Sequence, residues 1–196
     1  MRELIKMVIV LTILSAFSGG LLAGLRISTA AQIENQQLKF VKGPAIKAIL
    51  EGAANDPIVD RFKVTDGDID RSFFVGKFNG KANTVAFESF GKGYGGEVGL
   101  MVGVDLDNDK IIGVGVTTHS ETPGLGAQAK DDPTFVSQFK GFAIVEPVKV
   151  TTDGGKINAM SGATITSRAV CSAATDAGQI YQKLKPQLAE KLKEFE

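Results

Sequence analysis

The feature that most limits what this chain can fold into is the uncharged run from Met7 to Leu25, MVIVLTILSAFSGGLLAGL. As a helix rising about 1.5 Å per residue, it would be roughly as long as the ~30 Å hydrocarbon core of a bilayer is thick. Arg2 and Lys6 precede the run, and Arg26 follows it. Because basic residues favour the cytoplasmic side, we predict a membrane anchor over residues 1–28 with a cytoplasmic N-terminus. The main domain would then lie on the extracytoplasmic, periplasmic side of the cell (inner) membrane.

A cleaved signal peptide is the alternative, since it also combines a short basic segment with an apolar run. Its apolar region usually has only about 7–15 residues and ends in a small-x-small cleavage site. The run here is longer, and Ala23-Gly24-Leu25 is a poor match to such a site. Residues 28–39 also look able to continue a helix. These observations favour an uncleaved anchor.

Composition excludes several classes of protein. The formal net charge is zero, whereas nucleic-acid binding needs a basic surplus, so no nucleic-acid partner is predicted. A single cysteine, Cys171, excludes an intrachain disulfide, a cysteine-ligated cluster and a structural zinc site, and its expected role is in the apolar core. A single histidine, His119, excludes a multi-histidine metal site. We therefore predict no metal site in this chain.

Hydrophobic periodicity predicts an α+β domain over residues 61–196, preceded by a helical connector over residues 29–60 with a break at Gly43-Pro44. Five β-rich runs are predicted as strands, over residues 72–78, 84–90, 98–104, 112–116 and 144–150. Turns are expected at Asn79-Gly80 and over residues 105–109. Helices are expected over residues 131–139 and from Ile165 toward the C-terminus.

Two motifs resemble ligand sites but lack the required context. GKGYGG, residues 91–96, matches G-x-G-x-x-G, yet the residues after it read as a strand rather than the helix that a dinucleotide site needs. The tip at residues 105–109 looks like the start of an EF-hand loop. Lys110 and Val116 stand where that loop needs Gly and Glu, so calcium binding is rejected.

Two further motifs are candidate ligand-binding sites. HSETPGLG, residues 119–126, contains a Pro-Gly turn, and Gly126 would allow close approach of a ligand; a plain loop is the alternative. SGATITS, residues 161–167, leads into the predicted long helix. Either its hydroxyls cap the helix, or the helix N-terminus binds a phosphate with Arg168 nearby. No G-x-S-x-G elbow is present, so no catalytic serine or threonine is predicted.

Taken in order, the anchor, GYGGEVGLMVGVD (93–105), HSETPGLG (119–126) and NAMSGATITSRAV (158–170) resemble the G subunits of Rnf electron-transfer complexes. The C subunits of the sodium-pumping NADH:quinone oxidoreductases are related to them. The resemblance covers nearly the whole chain. It implies a mainly antiparallel sheet with flanking helices that binds FMN, and a complex with other membrane subunits.

In that family, FMN is joined through its phosphate to a threonine by a separate flavin transferase that uses FAD. The matching threonine is Thr164. The resemblance implies that the other cofactor-binding residues are Ser161, Gly162, Ala163, Thr166, Glu121, Thr122, Leu125 and Gly126. One departure is Asn158, where the family usually has aspartate. If that charge matters to the transferase, attachment at Thr164 would be impaired.

The resemblance therefore implies an electron-carrier subunit of an ion-translocating oxidoreductase with an organic rather than a metal cofactor. Two alternatives stay open at this point. One is an anchored extracytoplasmic binding or sensory module that holds FMN or another phosphate ligand non-covalently. The other is a structural assembly subunit whose site has degenerated.

Overall fold

The computed structural model describes residues 1–195, apart from the side chain of Ala31. The chain forms two compact units that divide between Phe40 and Val41. The first unit is essentially one helix, α1 (Arg2–Gln37). Within it, the 29 residues Arg2–Ala30 have the length and apolar composition needed to cross a membrane. A π-helical turn, Leu38–Lys42, follows α1.

The second unit is an α+β fold built on a five-stranded antiparallel sheet with the strand order β1-β2-β3-β4-β5. Its strands are β1 (Arg61–Asp66), β2 (Ile69–Phe78), β3 (Lys81–Lys92), β4 (Glu97–Asp105) and β5 (Lys110–Val116). Its helices are α2 (Gly43–Ile49), α3 (Gln128–Asp131), α4 (Pro133–Ser137) and α5 (Thr164–Leu192). The antiparallel sheet and flanking helices confirm the predicted fold class.

Tight turns explain why neighbouring strands in the sheet are also neighbours in sequence. Asn79 and Gly80 both have positive φ, 53° and 79°, between the paired residues Phe78 and Lys81. Positive φ at both turn residues is the type I′ geometry, whose twist matches that of the flanking strands. The predicted turn at Asn79-Gly80 is therefore confirmed.

Helix α5 covers one face of the sheet. The apolar residues Val98, Leu100, Val102 and Val104 of β4 are buried in one cluster with the apolar side of α5. On β3, the Ser89 hydroxyl donates a 2.7 Å hydrogen bond to the Ala173 carbonyl. The predicted long amphipathic helix is confirmed, and Pro186 lies inside it without ending it.

Helix α2 covers the other face, where glycines replace side chains. A Cβ atom at Gly115 would lie 3.1 Å from the Cβ of Ala45, and one at Gly103 would overlap the side chain of Ile49. Because α2 approaches so closely, β4 is buried on both faces. Packing between helix and sheet thus explains why these two positions are glycine.

The predicted strand over residues 144–150 is wrong. Only its last residue, Val150, makes a bridge, with Ile157. Pro147 has no N–H to donate to a ladder, and the N–H of Val148 donates instead to the hydroxyl of Thr175 on α5, at 2.9 Å. Burial of Ile144, Val148 and Val150 against the core produced the alternation that resembled a strand.

Strand β1 was missed from the sequence. It is an edge strand with three exposed positions among its six residues. Its charged residues, such as Arg61 and Lys63, interrupt the apolar alternation by which strands are predicted. Such charges are nevertheless a usual means of protecting the edge of a sheet from pairing with another chain.

The tip of the β4–β5 hairpin is attached to α5 through Asp109. This carboxylate accepts from the Tyr181 hydroxyl at 2.5 Å and from the Lys185 ammonium at 2.6 and 2.8 Å. Lys185, and then Tyr181, lower the pKa of Asp109 below its ordinary value of 3.8. Asp109 also adopts a left-handed φ of 54°, which Asn tolerates equally well.

We predict that Asp109→Asn lowers the thermal midpoint at pH 7 by up to about 4 °C, since an exposed ion pair contributes little. Because the pKa of Asp109 is lower in the folded than in the unfolded protein, the charged carboxylate stabilises the fold at pH values above 3.8. That stabilisation is lost as the pH falls below 3.8 and through the lowered pKa. The difference between wild type and variant should therefore shrink as the pH falls below 3.8. Circular dichroism melts at pH 7, 5 and 3 measure it; a constant difference would contradict the role of this charge.

Candidate functional site

Three loop segments meet at the end of the sheet opposite this hairpin tip, around the carboxylate of Glu121. Glu121 is only 6% exposed. Its Oε1 accepts a 2.8 Å hydrogen bond from the N–H of Gly95, in the turn between β3 and β4. Its Oε2 accepts from the hydroxyl of Thr166, in the first turn of α5. One side chain thus joins the segment after β5 to both other segments.

Glycines make room for this carboxylate. A Cβ at Gly93 would lie 2.5 Å from Glu121 Oε1. A Cβ at Gly126 would lie 2.5 Å from Thr166 Oγ1 and 2.7 Å from Glu121 Oε2. Gly93 and Gly126, one from each sequence motif, are therefore explained by the close approach of the Glu121 carboxylate.

The N-terminus of α5 is open. Its N-cap residue is Ala163, and within the described residues no side chain caps it, so the capping alternative considered for SGATITS is wrong. Gly162 supplies the left-handed turn before it, with φ of 72°. The free N–H groups and the helix dipole of a 29-residue helix make this end suitable for an anion.

The four hydroxyls of this segment lie in different environments. Thr166 is buried and donates to Glu121. Ser167 is also buried; its hydroxyl donates to the Ala163 carbonyl and accepts from the Met160 N–H, both at 3.0 Å. Thr164, the first residue of α5, is half-buried, and Ser161 is exposed. Neither of them takes part in these hydrogen bonds.

Exposed apolar side chains belong to the same three segments. Tyr94, Leu125 and Ile165 are 75%, 48% and 49% exposed. Leu125 lies beside the SGAT turn, since a Cβ at Gly162 would be 3.2 Å from its Cδ2. Large exposed apolar groups in the segments around a helix end that suits an anion also suit a ligand with a flat apolar part. Sequence reasoning selected Leu125 but missed Tyr94 and Ile165, whose exposure only the fold reveals.

Comparison with known proteins agrees with this geometry. The family model of the FMN-binding domain matches residues 93–179, a range that holds all three segments. The G subunit of the ion-translocating oxidoreductase complex of Methanosarcina acetivorans is 34% identical over 175 residues, covering 88% of this chain and 91% of the relative. The chain belongs to this family of G subunits.

Further similarities support the assignment. The G subunit of the proton-translocating ferredoxin:NAD(+) oxidoreductase complex of Clostridium ljungdahlii is 31% identical over 169 residues, covering 85% of each chain. The crystal structure of Shewanella oneidensis NqrC superposes with a TM-score of 0.53 at 26% identity, covering 70% of this chain and 72% of that one. Membership of this family, together with the apolar helix Arg2–Ala30, indicates a single-pass membrane protein.

The remaining predicted site residues lie at the edge of the site. Thr122 is exposed, and its carbonyl accepts from the N–H groups of Leu125 and Ala127, each at 3.2 Å, which shapes the loop. His119 is half-buried, and its Nδ1 accepts from the Glu121 N–H at 3.3 Å.

Arg168 does not point its charge at the end of α5. Its guanidinium makes two 2.7 Å hydrogen bonds with Asp153, which lower the pKa of that carboxyl. The suggested help from Arg168 in binding a phosphate is therefore not supported, because the side chain is already paired.

Asn158 lies at the start of the segment that leads to SGAT. Its backbone is held by the Gln138 side chain, with the N–H donating at 2.7 Å and the carbonyl accepting at 3.3 Å, while its side chain is exposed. An exposed position can meet a modifying enzyme but does not support the fold. The departure from aspartate therefore leaves the local structure intact.

Cys171 is a core residue, 3% exposed, as predicted. Burial raises the pKa of its thiol from 9.0 to about 12. The thiolate population is then about a thousandfold lower than for a free cysteine. We predict that iodoacetamide at pH 8 leaves the native protein unlabelled and labels it fully in guanidinium, as read by intact mass. Labelling of the native protein at the rate of a free thiol would contradict this placement.

Proposed function

We propose that this chain is the electron-carrying G subunit of an ion-translocating oxidoreductase complex of the Rnf type, with an FMN joined through a phosphoester to Thr164. One observation carries the proposal. Thr164 is the first residue of α5, at an uncapped helix N-terminus, and it is only half-buried. The match to the FMN-binding domain and the names of the relatives support the same role.

The residues present fit FMN. The free N–H groups of α5 would face a phosphate on Thr164, and the left-handed turn at Gly162 keeps bulk away from it. Leu125, Ile165 and Tyr94 offer apolar surface to an isoalloxazine ring. FMN supplies one- and two-electron transfer when bound, and the protein supplies its position and environment.

Attachment is a phosphoryl transfer without a redox change. The Thr164 oxygen attacks the phosphorus on the FMN side of FAD, and a new O–P bond forms. The P–O bond to the AMP half breaks, and AMP leaves with that electron pair. The hydroxyl proton is lost to a base of the flavin transferase or to water. Thr164 is thus an attachment point, and it undergoes no chemistry during electron transfer.

A covalent link suits the proposed location. We place residues 1–28 in the inner membrane with a cytoplasmic N-terminus, residues 29–60 as a connector, and residues 61–196 on the extracytoplasmic side. FMN that dissociated there would be lost, whereas the phosphoester retains it and leaves the ring free to react. Other membrane subunits of the complex would supply and accept the electrons.

Intact mass tests the proposal. The full-length chain is co-expressed with a flavin transferase, purified in detergent and denatured. We expect a mass increase of one FMN less one water, and fluorescence that stays with the denatured chain. Release of flavin on denaturation would indicate a non-covalent binding module instead. Absence of flavin would indicate a structural assembly subunit.

A further inference from the structure

The segment SGATITS carries four hydroxyls within seven residues, so attachment to one of them requires a means of selection. Ser167 is excluded as the flavin acceptor by the fold, because it is fully buried and its hydroxyl is hydrogen-bonded to the turn before α5. Thr166 is excluded by a different residue. Thr166 is only 2% exposed, and its hydroxyl donates to the carboxylate of Glu121, which lies in a loop 45 positions earlier in the chain.

The same hydrogen bond orients the start of α5. Each residue of an α-helix is rotated by about 100° from the one before, so Thr164 and Thr166 point about 200° apart. Holding Thr166 toward the interior therefore turns Thr164 outward. Glu121 is itself held by the Gly95 N–H, so it does not simply follow the helix if the first turn frays.

We propose that Glu121 selects Thr164 as the flavin acceptor, by holding the Thr166 hydroxyl and fixing the first turn of α5 so that Thr164 is presented. This inference rests on the proposed function, because it concerns the phosphoryl transfer described above. Glu121 is a positioning residue in that step, since it acts through Thr166 and forms no bond to phosphorus.

Gly126 is required for the same hydrogen-bonded arrangement. A Cβ there would crowd both the Thr166 hydroxyl and Glu121 Oε2. The carboxylate can reach α5 only because this position has no side chain. ETPGLG and SGAT thus act together, although neither motif alone shows why Thr166 is not the residue that receives the flavin.

The experiment measures the initial rate of FMN incorporation into the full-length apoprotein, with FAD and limiting flavin transferase. Intact mass gives the rate, and peptide mapping gives the modified residue. The variants are Glu121→Ala, Thr166→Val and Thr166→Ser. We expect Thr166→Ser, which keeps the donor, to load at close to the wild-type rate. Glu121→Ala and Thr166→Val should load about 10- to 100-fold more slowly, as expected when a reacting group is misplaced.

A matched control distinguishes a change in how Thr164 is presented to the transferase from a general loss of protein stability. Asp109→Asn loosens the opposite end of the sheet and should load Thr164 at the wild-type rate. Loading of Thr166→Val at the wild-type rate would overturn the inference, as would a loss in Thr166→Ser as large as that in Thr166→Val. If Glu121→Ala does not fold, these two Thr166 variants decide alone. A wild-type chain that takes up no FMN would instead refute the proposed function.

Peptide mapping adds a second readout, the residue that carries the flavin, which a merely structural role of Glu121 would not change. In Glu121→Ala, we expect part of the remaining flavin on Thr166, because the carboxylate no longer holds its hydroxyl. Flavin found only on Thr164, at an undiminished rate, would show that selection lies elsewhere.

Discussion

Thr164→Ala is expected to remove all covalently bound FMN from the protein. In the proposed function, the Thr164 hydroxyl oxygen forms the phosphoester, and the two buried hydroxyls nearby are already engaged in hydrogen bonds. Fluorescence in a denaturing gel and intact mass should both fall to the level of protein made without flavin transferase. The fold should persist, since Thr164 is half-buried and caps nothing.

Two variants control this prediction. Thr164→Ser keeps a hydroxyl at the same position and should restore a covalent flavin. Ser161→Ala removes the other exposed hydroxyl of the segment and should leave loading unchanged. Covalent flavin in Thr164→Ala, or its absence in Thr164→Ser with a normal melt, would refute the assignment of the acceptor.

Gly91→Ala is expected to cause the largest loss of stability among single-methyl changes in the sheet. Gly91 lies on β3 under α5, and a Cβ there would overlap the Ala169 carbonyl oxygen, which is backbone and cannot move alone. Strand and helix must separate, which costs about 3 kcal/mol of unfolding free energy. We expect the thermal midpoint to fall by about 6–12 °C.

Gly113→Ala is the matched control for that change. It adds the same methyl to another strand of the sheet, where the closest atoms, of Ile49, would be at 3.7 Å, an ordinary contact. Both variants lose the same backbone freedom in the unfolded state, so their difference isolates the clash. Equal melting temperatures for the two variants would show that β3 and α5 are less closely packed than described.

Features that depend on neighbouring residues were predictable. A membrane-spanning helix requires a continuous apolar run, the type I′ turn requires residues that tolerate positive φ, and a long amphipathic helix requires an apolar face. Each signal lies within a few residues or turns, at Met7–Leu25, at Asn79-Gly80 and from Thr164 onward. The family resemblance then added the candidate acceptor, Thr164, which composition and spacing alone did not distinguish from a helix cap.

Burial without pairing led to the wrong strand prediction. Ile144 and Val150 are buried like strand residues, but the Glu146 N–H closes a turn onto the Ala143 carbonyl and the Val148 N–H bonds to α5. Alternation records which side chains face the core and does not record where the backbone N–H groups donate. The edge strand β1 was missed for the opposite reason, because only one of its six residues is buried.

Local patterns in the chain were enough to predict the apolar N-terminal helix, an α+β domain and the long C-terminal helix, because hydropathy, turn residues and helical periodicity act over short separations. The antiparallel sheet was implied by the family resemblance. The role of Glu121, in contrast, follows from the tertiary structure alone. The register of the sheet brings its carboxylate to Gly95, 26 positions earlier, and to Thr166, 45 positions later. Contacts over such separations depend on how β3, β4, β5 and α5 pack together, and no pattern within a single segment encodes them.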